Sequence, residues 1–86
     1  MNYNYIIVED NLGCLENLRC ALKSHGNFSE VGVANTLTQG ISLALTTKPH
    51  IIFLDVQLGN QNGFDLIKEI RQYSADFPFI IMTTDL

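Results

Sequence analysis

"IIFLDVQLGNQNG", residues Ile51 to Gly63, contains four apolar residues in a row, then one acid, then a string of amides and glycines. A half-exposed strand alternates apolar and polar side chains, whereas a strand covered on both faces is apolar throughout. Ile51-Ile52-Phe53-Leu54 is of the second kind, and so are Tyr5-Ile6-Ile7-Val8 and Phe79-Ile80-Ile81-Met82. Such strands belong to a parallel sheet sandwiched between helices. The acid at the end of the run, Asp55, is then costly unless something compensates its charge.

The segments between these strands have the period of helices. Leu15, Leu18 and Leu22 share one face of a stretch from Leu12 to His25, with Asn11 placed to cap its start and Gly26 at its stop. Glu30 to Ala34 reads as a further strand. A second helix starts from a cap at Asn35, carries Leu37, Ile41, Ala44 and Leu45 on one stripe, and ends at Pro49. Gly40, Thr46 and Thr47 make it weak by propensity. Gly59 to Gly63 is a loop by composition. Phe64 to Tyr73 is a third helix with Leu66, Ile67 and Ile70 inward, and Pro78 precedes the last strand. Strict alternation of strand and helix argues for right-handed βαβ units and an α/β fold.

The totals agree with one packed domain over residues 1–86: 47% hydrophobic, 16% charged. Net charge is -4 without a Lys/Arg cluster, which speaks against nucleic-acid binding by this segment. Apolar runs fall far short of the ~20 residues that span a bilayer. No basic region precedes an apolar stretch as in a signal peptide, so no membrane role and a cytoplasmic location are expected. Cys14 and Cys20 have no metal-ligand spacing, cannot pair across one helix, and read as small packing residues.

In an open parallel sheet, functional groups gather at the carboxyl ends of the strands. There the first strand ends in Glu9 and Asp10, the third in Asp55, and the fourth in Thr83 and Thr84. If the first and third strands are neighbours, three carboxylates converge. Oxygen-only ligands of this kind suit Mg²⁺. An aspartate beside such an ion is a candidate nucleophile toward phosphorus, with a Thr83 hydroxyl to hydrogen-bond the transferred group. Taken singly, Asp10-Asn11 also reads as a helix cap and Asp55 as a turn former.

These residues carry a resemblance. "IIVEDN" (6–11), "PHIIFLDVQLGNQNGFDLIKEIR" (49–71) and "PFIIMTT" (78–84) resemble the receiver domain of two-component response regulators, over nearly the whole chain. The resemblance implies a flavodoxin-like sheet of order 2-1-3-4 with helices on both faces. It implies Glu9, Asp10, Asp55 and the backbone carbonyl of Gln57 as Mg²⁺ ligands. Asp55 falls on the phosphoacceptor, Gly63 on the loop glycine and Thr83 on the switch hydroxyl, with Thr84 taking that role if the register is shifted by one. The implied partner is a sensor histidine kinase or histidine phosphotransfer protein. The domain assists its own phosphotransfer and dephosphorylation without being a conventional enzyme. "LDVQLGNQNGFDLI" resembles receivers attached to LytTR-type DNA-binding domains.

Two departures stand out. Gly59 occupies the place of a usual proline, which is expected to loosen the loop. Full receivers have five strands and five helices, whereas four strands and three helices are read here. On this reading the domain is incomplete after the fourth strand, and the family's strand-five lysine is missing, with neither Lys48 nor Lys68 at a matching position. Impaired phosphorylation and self-association through the fourth strand's edge are then expected. The alternative is a receiver-like interaction module acting without phosphorylation. Aspartate-nucleophile phosphatases are disfavoured, because they place a second acid two residues after the nucleophile, where this chain has Gln57.

Overall fold

Four strands pair side by side in parallel: β1 (Tyr3–Val8), β2 (Phe28–Ala34), β3 (Ile51–Asp55) and β6 (Phe79–Thr83), in the spatial order β2-β1-β3-β6, while the short strands β4 (Gln57–Leu58) and β5 (Gln61–Asn62) pair apart from this sheet. The computed structural model describes residues 2–75 and 78–83. The order is the one implied by the resemblance, and β1 lies beside β3 with Tyr5 opposite Ile51 and Val8 opposite Leu54. Helices α1 (Leu12–Lys23), α2 (Leu37–Thr47) and α3 (Phe64–Tyr73) connect the strands. Among the described residues no helix is long and apolar enough to cross a membrane.

The continuous apolar strands bury both faces, as their composition demands. Ile6, Val8, Ile52 and Leu54 face α2 and α3, where they pack with Leu37, Ala44, Leu66 and Ile70. Tyr5, Ile7 and Phe53 face the other way and pack with Leu15 and Leu22 of α1. The Tyr5 and Phe53 rings meet edge to face at 5.6 Å, a favoured aromatic geometry. Among the described residues the outer side of β6 has no neighbouring strand, and Ile81 is 45% exposed.

Several boundaries shift for local reasons. Asn11 caps α1 as expected, its Oδ1 accepting from the Cys14 N–H at 2.9 Å. The helix stops at Lys23 rather than His25, because Ser24 and His25 tighten into a turn before Gly26 at φ +72°. Thr36, not Asn35, caps α2: it is the extended residue next to the first turn, and its Oγ1 accepts from the Gln39 N–H at 3.2 Å. Lys48 closes α2 in the left-handed region, its N–H donating to the Ala44 carbonyl, a common way for a helix to end. Cys14 is half-buried, but Cys20 lies exposed on α1 and is not a packing residue.

Two contacts were not readable beforehand. His50, at the start of β3, accepts the Asn4 N–H on Nδ1 at 2.9 Å and so ties the amino ends of β1 and β3. Arg19 of α1 grips Glu30 of β2 with both arms of its fork, at 2.7 and 2.6 Å, and touches Glu16 at 3.2 Å. The Arg19 hydrogen bonds hold the Glu30 carboxyl below its ordinary 4.5. Burial, and then the Glu30 carboxylate, push the Tyr5 phenol up.

A carboxyl lowered in the folded state stabilises above its unfolded pKa, and that stability is lost as pH falls through the folded value. Arg19→Met therefore lowers the thermal midpoint at pH 7, and thermal melts at descending pH will show the difference fading below pH 4.5. Leu66 is fully buried, so Leu66→Ala costs about 2–5 kcal/mol in chemical denaturation.

Candidate acidic site

Parallel pairing of β1 and β3 brings their carboxyl ends to the same edge of the sheet. The strands deliver Glu9 and Asp55 there, and Asp10 follows one residue on. One oxygen from each of the three lies within 4.8 Å of the others. Glu9 and Asp55 are buried, at 8% and 5% exposure, while Asp10 faces solvent. The sequence-predicted acids are thus brought together.

Backbone donors meet both buried carboxylates. Glu9 Oε2 accepts from the Asn11 N–H at 3.3 Å, and Asp55 Oδ1 accepts from the Gln57 N–H at 3.3 Å. These turns satisfy part of each carboxylate, yet they do not offset like charges held this close. The donor set is all oxygen, and exposed Asp10 keeps one side open to water. That combination fits a small hard divalent cation that retains several waters.

β6 adds a hydroxyl. Thr83 pairs with Asp55 in the strand register, and the Val56 N–H donates to its carbonyl at 3.0 Å. Its Oγ1 donates to the Leu54 carbonyl at 3.4 Å. The expected switch hydroxyl therefore stands on the strand next to Asp55; Thr84, the other candidate, lies outside the described residues. Gln57 touches Asp55 through its N–H.

The segment after Asp55 is more ordered than its composition suggests. Instead of an irregular loop, Gln57–Leu58 (β4) and Gln61–Asn62 (β5) pair as an antiparallel ribbon. Gly59, at φ +58°, makes the reversal, as a first turn residue with positive φ does in a tight hairpin. The departure from proline thus builds a turn rather than loosening the loop. Leu58 anchors the ribbon in the core at 4% exposure. Asn62 Oδ1 then accepts the Phe64 N–H at 2.9 Å, an Asx turn that leads the chain into α3, with Gly63 at the N-cap.

Gly63 has a steric reason to be glycine. A Cβ at this position would run into the Asp55 carbonyl oxygen and come within 3.2 Å of the Val56 carbonyl oxygen. Both atoms are backbone and cannot swing aside. Gly63→Ala will therefore cost about 1–3 kcal/mol by overpacking, and amide spectra will show the shift concentrated at Asp55 and Val56 rather than spread through α1.

Comparison with known proteins agrees with this geometry. The family model described as the response regulator receiver domain matches residues 5–86. The KDP operon transcriptional regulatory protein KdpE of Escherichia coli is 39% identical over 80 residues, covering 93% of this chain and 34% of KdpE. The sensory transduction protein LytT of Bacillus subtilis is 29% identical over 79 residues, covering 92% of this chain and 32% of LytT. The chain spans about a third of the length of these relatives. Among solved structures, the anti-anti-sigma factor PhyR of Bartonella quintana superposes with a TM-score of 0.81 at 26% identity, covering 95% of this chain and 33% of PhyR. The response regulator domain of Thermotoga maritima CheB gives a TM-score of 0.86 at 24% identity, covering 100% of this chain and 63% of that one, and shares the fold. With its strand order, its acidic edge and this family match, the chain belongs to the response regulator receiver domain family.

Proposed function

We propose that the chain is a phosphoacceptor of two-component signalling, with Asp55 as the acceptor. The observation that carries this reading is the convergence of Glu9, Asp10 and Asp55 within 4.8 Å at the sheet edge. Thr83 on the adjacent strand supports it. Glu9, Asp10, Asp55 and the Gln57 carbonyl would hold Mg²⁺, which when bound would offset negative charge on the phosphoryl oxygens. An Asp55 oxygen attacks the phosphorus of a phosphohistidine in line. The O–P bond forms, the P–N bond breaks, and its electron pair leaves with the imidazole nitrogen of the donor. Thr83 turns its hydroxyl from the Leu54 carbonyl toward a phosphoryl oxygen.

The donor is a sensor histidine kinase or a histidine phosphotransfer protein, and the setting is the cytoplasm. PhyR of Bartonella quintana has been crystallised in complex with the anti-sigma factor NepR, so a structural relative binds a protein partner. Asp55 is consumed and regenerated as a signal carrier, as befits a signalling domain. Lys48 closes α2 at the end of β3 opposite to Asp55, so it supplies no cation to the acceptor.

Intact mass after treatment with acetyl phosphate and Mg²⁺ tests the reading. The chain gains one phosphoryl group slowly, while Asp55→Asn or added chelator prevents the gain. Asp10→Asn weakens Mg²⁺ binding by about tenfold or more. A gain that survives Asp55→Asn overturns the assignment. No gain at saturating donor replaces it with an interaction module acting without phosphorylation. The outer edge of β6 also invites strand pairing, so the 86-residue chain self-associates at high concentration; light scattering that finds only monomer refutes this.

A further inference from the structure

Gln61 stands on the β4–β5 ribbon opposite Leu58. Its residue is exposed, yet its Oε1 reaches the first residue of α2 and accepts the Leu37 N–H at 3.3 Å. First-turn N–H groups have no acceptor within their own helix. Thr36 takes the N–H of Gln39; Gln61, 24 positions further along the chain, takes the one at Leu37. The same ribbon carries the Gln57 N–H that meets Asp55 Oδ1. Its turn at Gly59 lies near Asp10, whose Oδ2 would stand 4.0 Å from a Cβ placed there.

We propose that Gln61 is a positioning residue: its amide latches the ribbon to α2 and thereby holds the Gln57 peptide against Asp55. This rests on reading the acidic cluster as a Mg²⁺-dependent phosphoacceptor site. Two-residue strands have little stability of their own. Leu58 fixes the ribbon's depth in the core, and Gln61 fixes its lateral place. A neutral amide suits this post, because it accepts a hydrogen bond without adding a further negative charge beside three carboxylates. The link also makes the coupling reciprocal. Loading the acids with Mg²⁺ shifts the first turn of α2, although α2 contributes no ligand.

Two variants and amide-resolved NMR test the latch. Gln61→Leu keeps the apolar stem and removes the acceptor; Gln61→Glu keeps the acceptor. In Gln61→Leu the Leu37 amide exchanges faster, the Gln57 amide shifts without metal, and Mg²⁺ alone binds about three- to tenfold more weakly. Gln61→Glu restores protection at Leu37. In the unsubstituted chain, added Mg²⁺ shifts the Leu37 amide. Unchanged Leu37 exchange or unchanged Mg²⁺ affinity in Gln61→Leu overturns the proposal. If the unsubstituted chain takes up no Mg²⁺, the phosphoacceptor reading fails instead. The latch is then judged on the metal-free Gln57 amide, and an unmoved resonance overturns it.

Discussion

The burial of two carboxylates at the ends of adjacent apolar strands governs this structure. Glu9 and Asp55 are almost out of water, next to Val8 and Leu54, which are wholly so. Charges in that position need compensation. Much of the surrounding architecture follows from meeting that need: backbone N–H groups of Asn11 and Gln57 turn toward the acids, and the third acid, Asp10, stays at the surface. The result is a concentrated patch of oxygen ligands on a rigid edge, which is what a hard divalent ion requires.

The rigidity comes from the sheet. Because β1 and β3 are covered on both faces, their register cannot slip without moving apolar side chains onto the wrong side. The His50–Asn4 contact and the Arg19–Glu30 fork secure the strands at other points. The carboxyl ends therefore sit where the core puts them, and the acids inherit that precision. The flanking ribbon is held differently, by one buried leucine, one tight turn and side-chain amides. A two-residue ribbon has little stability of its own, so its place depends on those few contacts.

Much of this was legible beforehand. The strand cores, α3 from Phe64 to Tyr73, the strand order and the acids at the strand ends all follow from apolar runs, periodicity and family motifs. Asn35 and Thr36 are both good caps, and only the path of the chain into α2 selects Thr36. Cys20 shares a helix with buried leucines but points away from them. The Gly59–Gly63 stretch has loop composition, and pairing into a ribbon depends on Leu58 finding the core, which composition does not encode.

The sequence by itself determined the fold class and the identity of the acids, because unbroken apolar strands and helical stripes are local patterns that survive without coordinates. It also determined that Asp55 must end its strand in need of a counter-charge. Only the tertiary structure decided the contacts between residues far apart in the chain: the three oxygens within 4.8 Å, Thr83 alongside Asp55, Gly63 against the Asp55 carbonyl, and Gln61 on the first turn of α2. Those depend on which elements pack together and at what depth, a property of the whole core and not of any one segment.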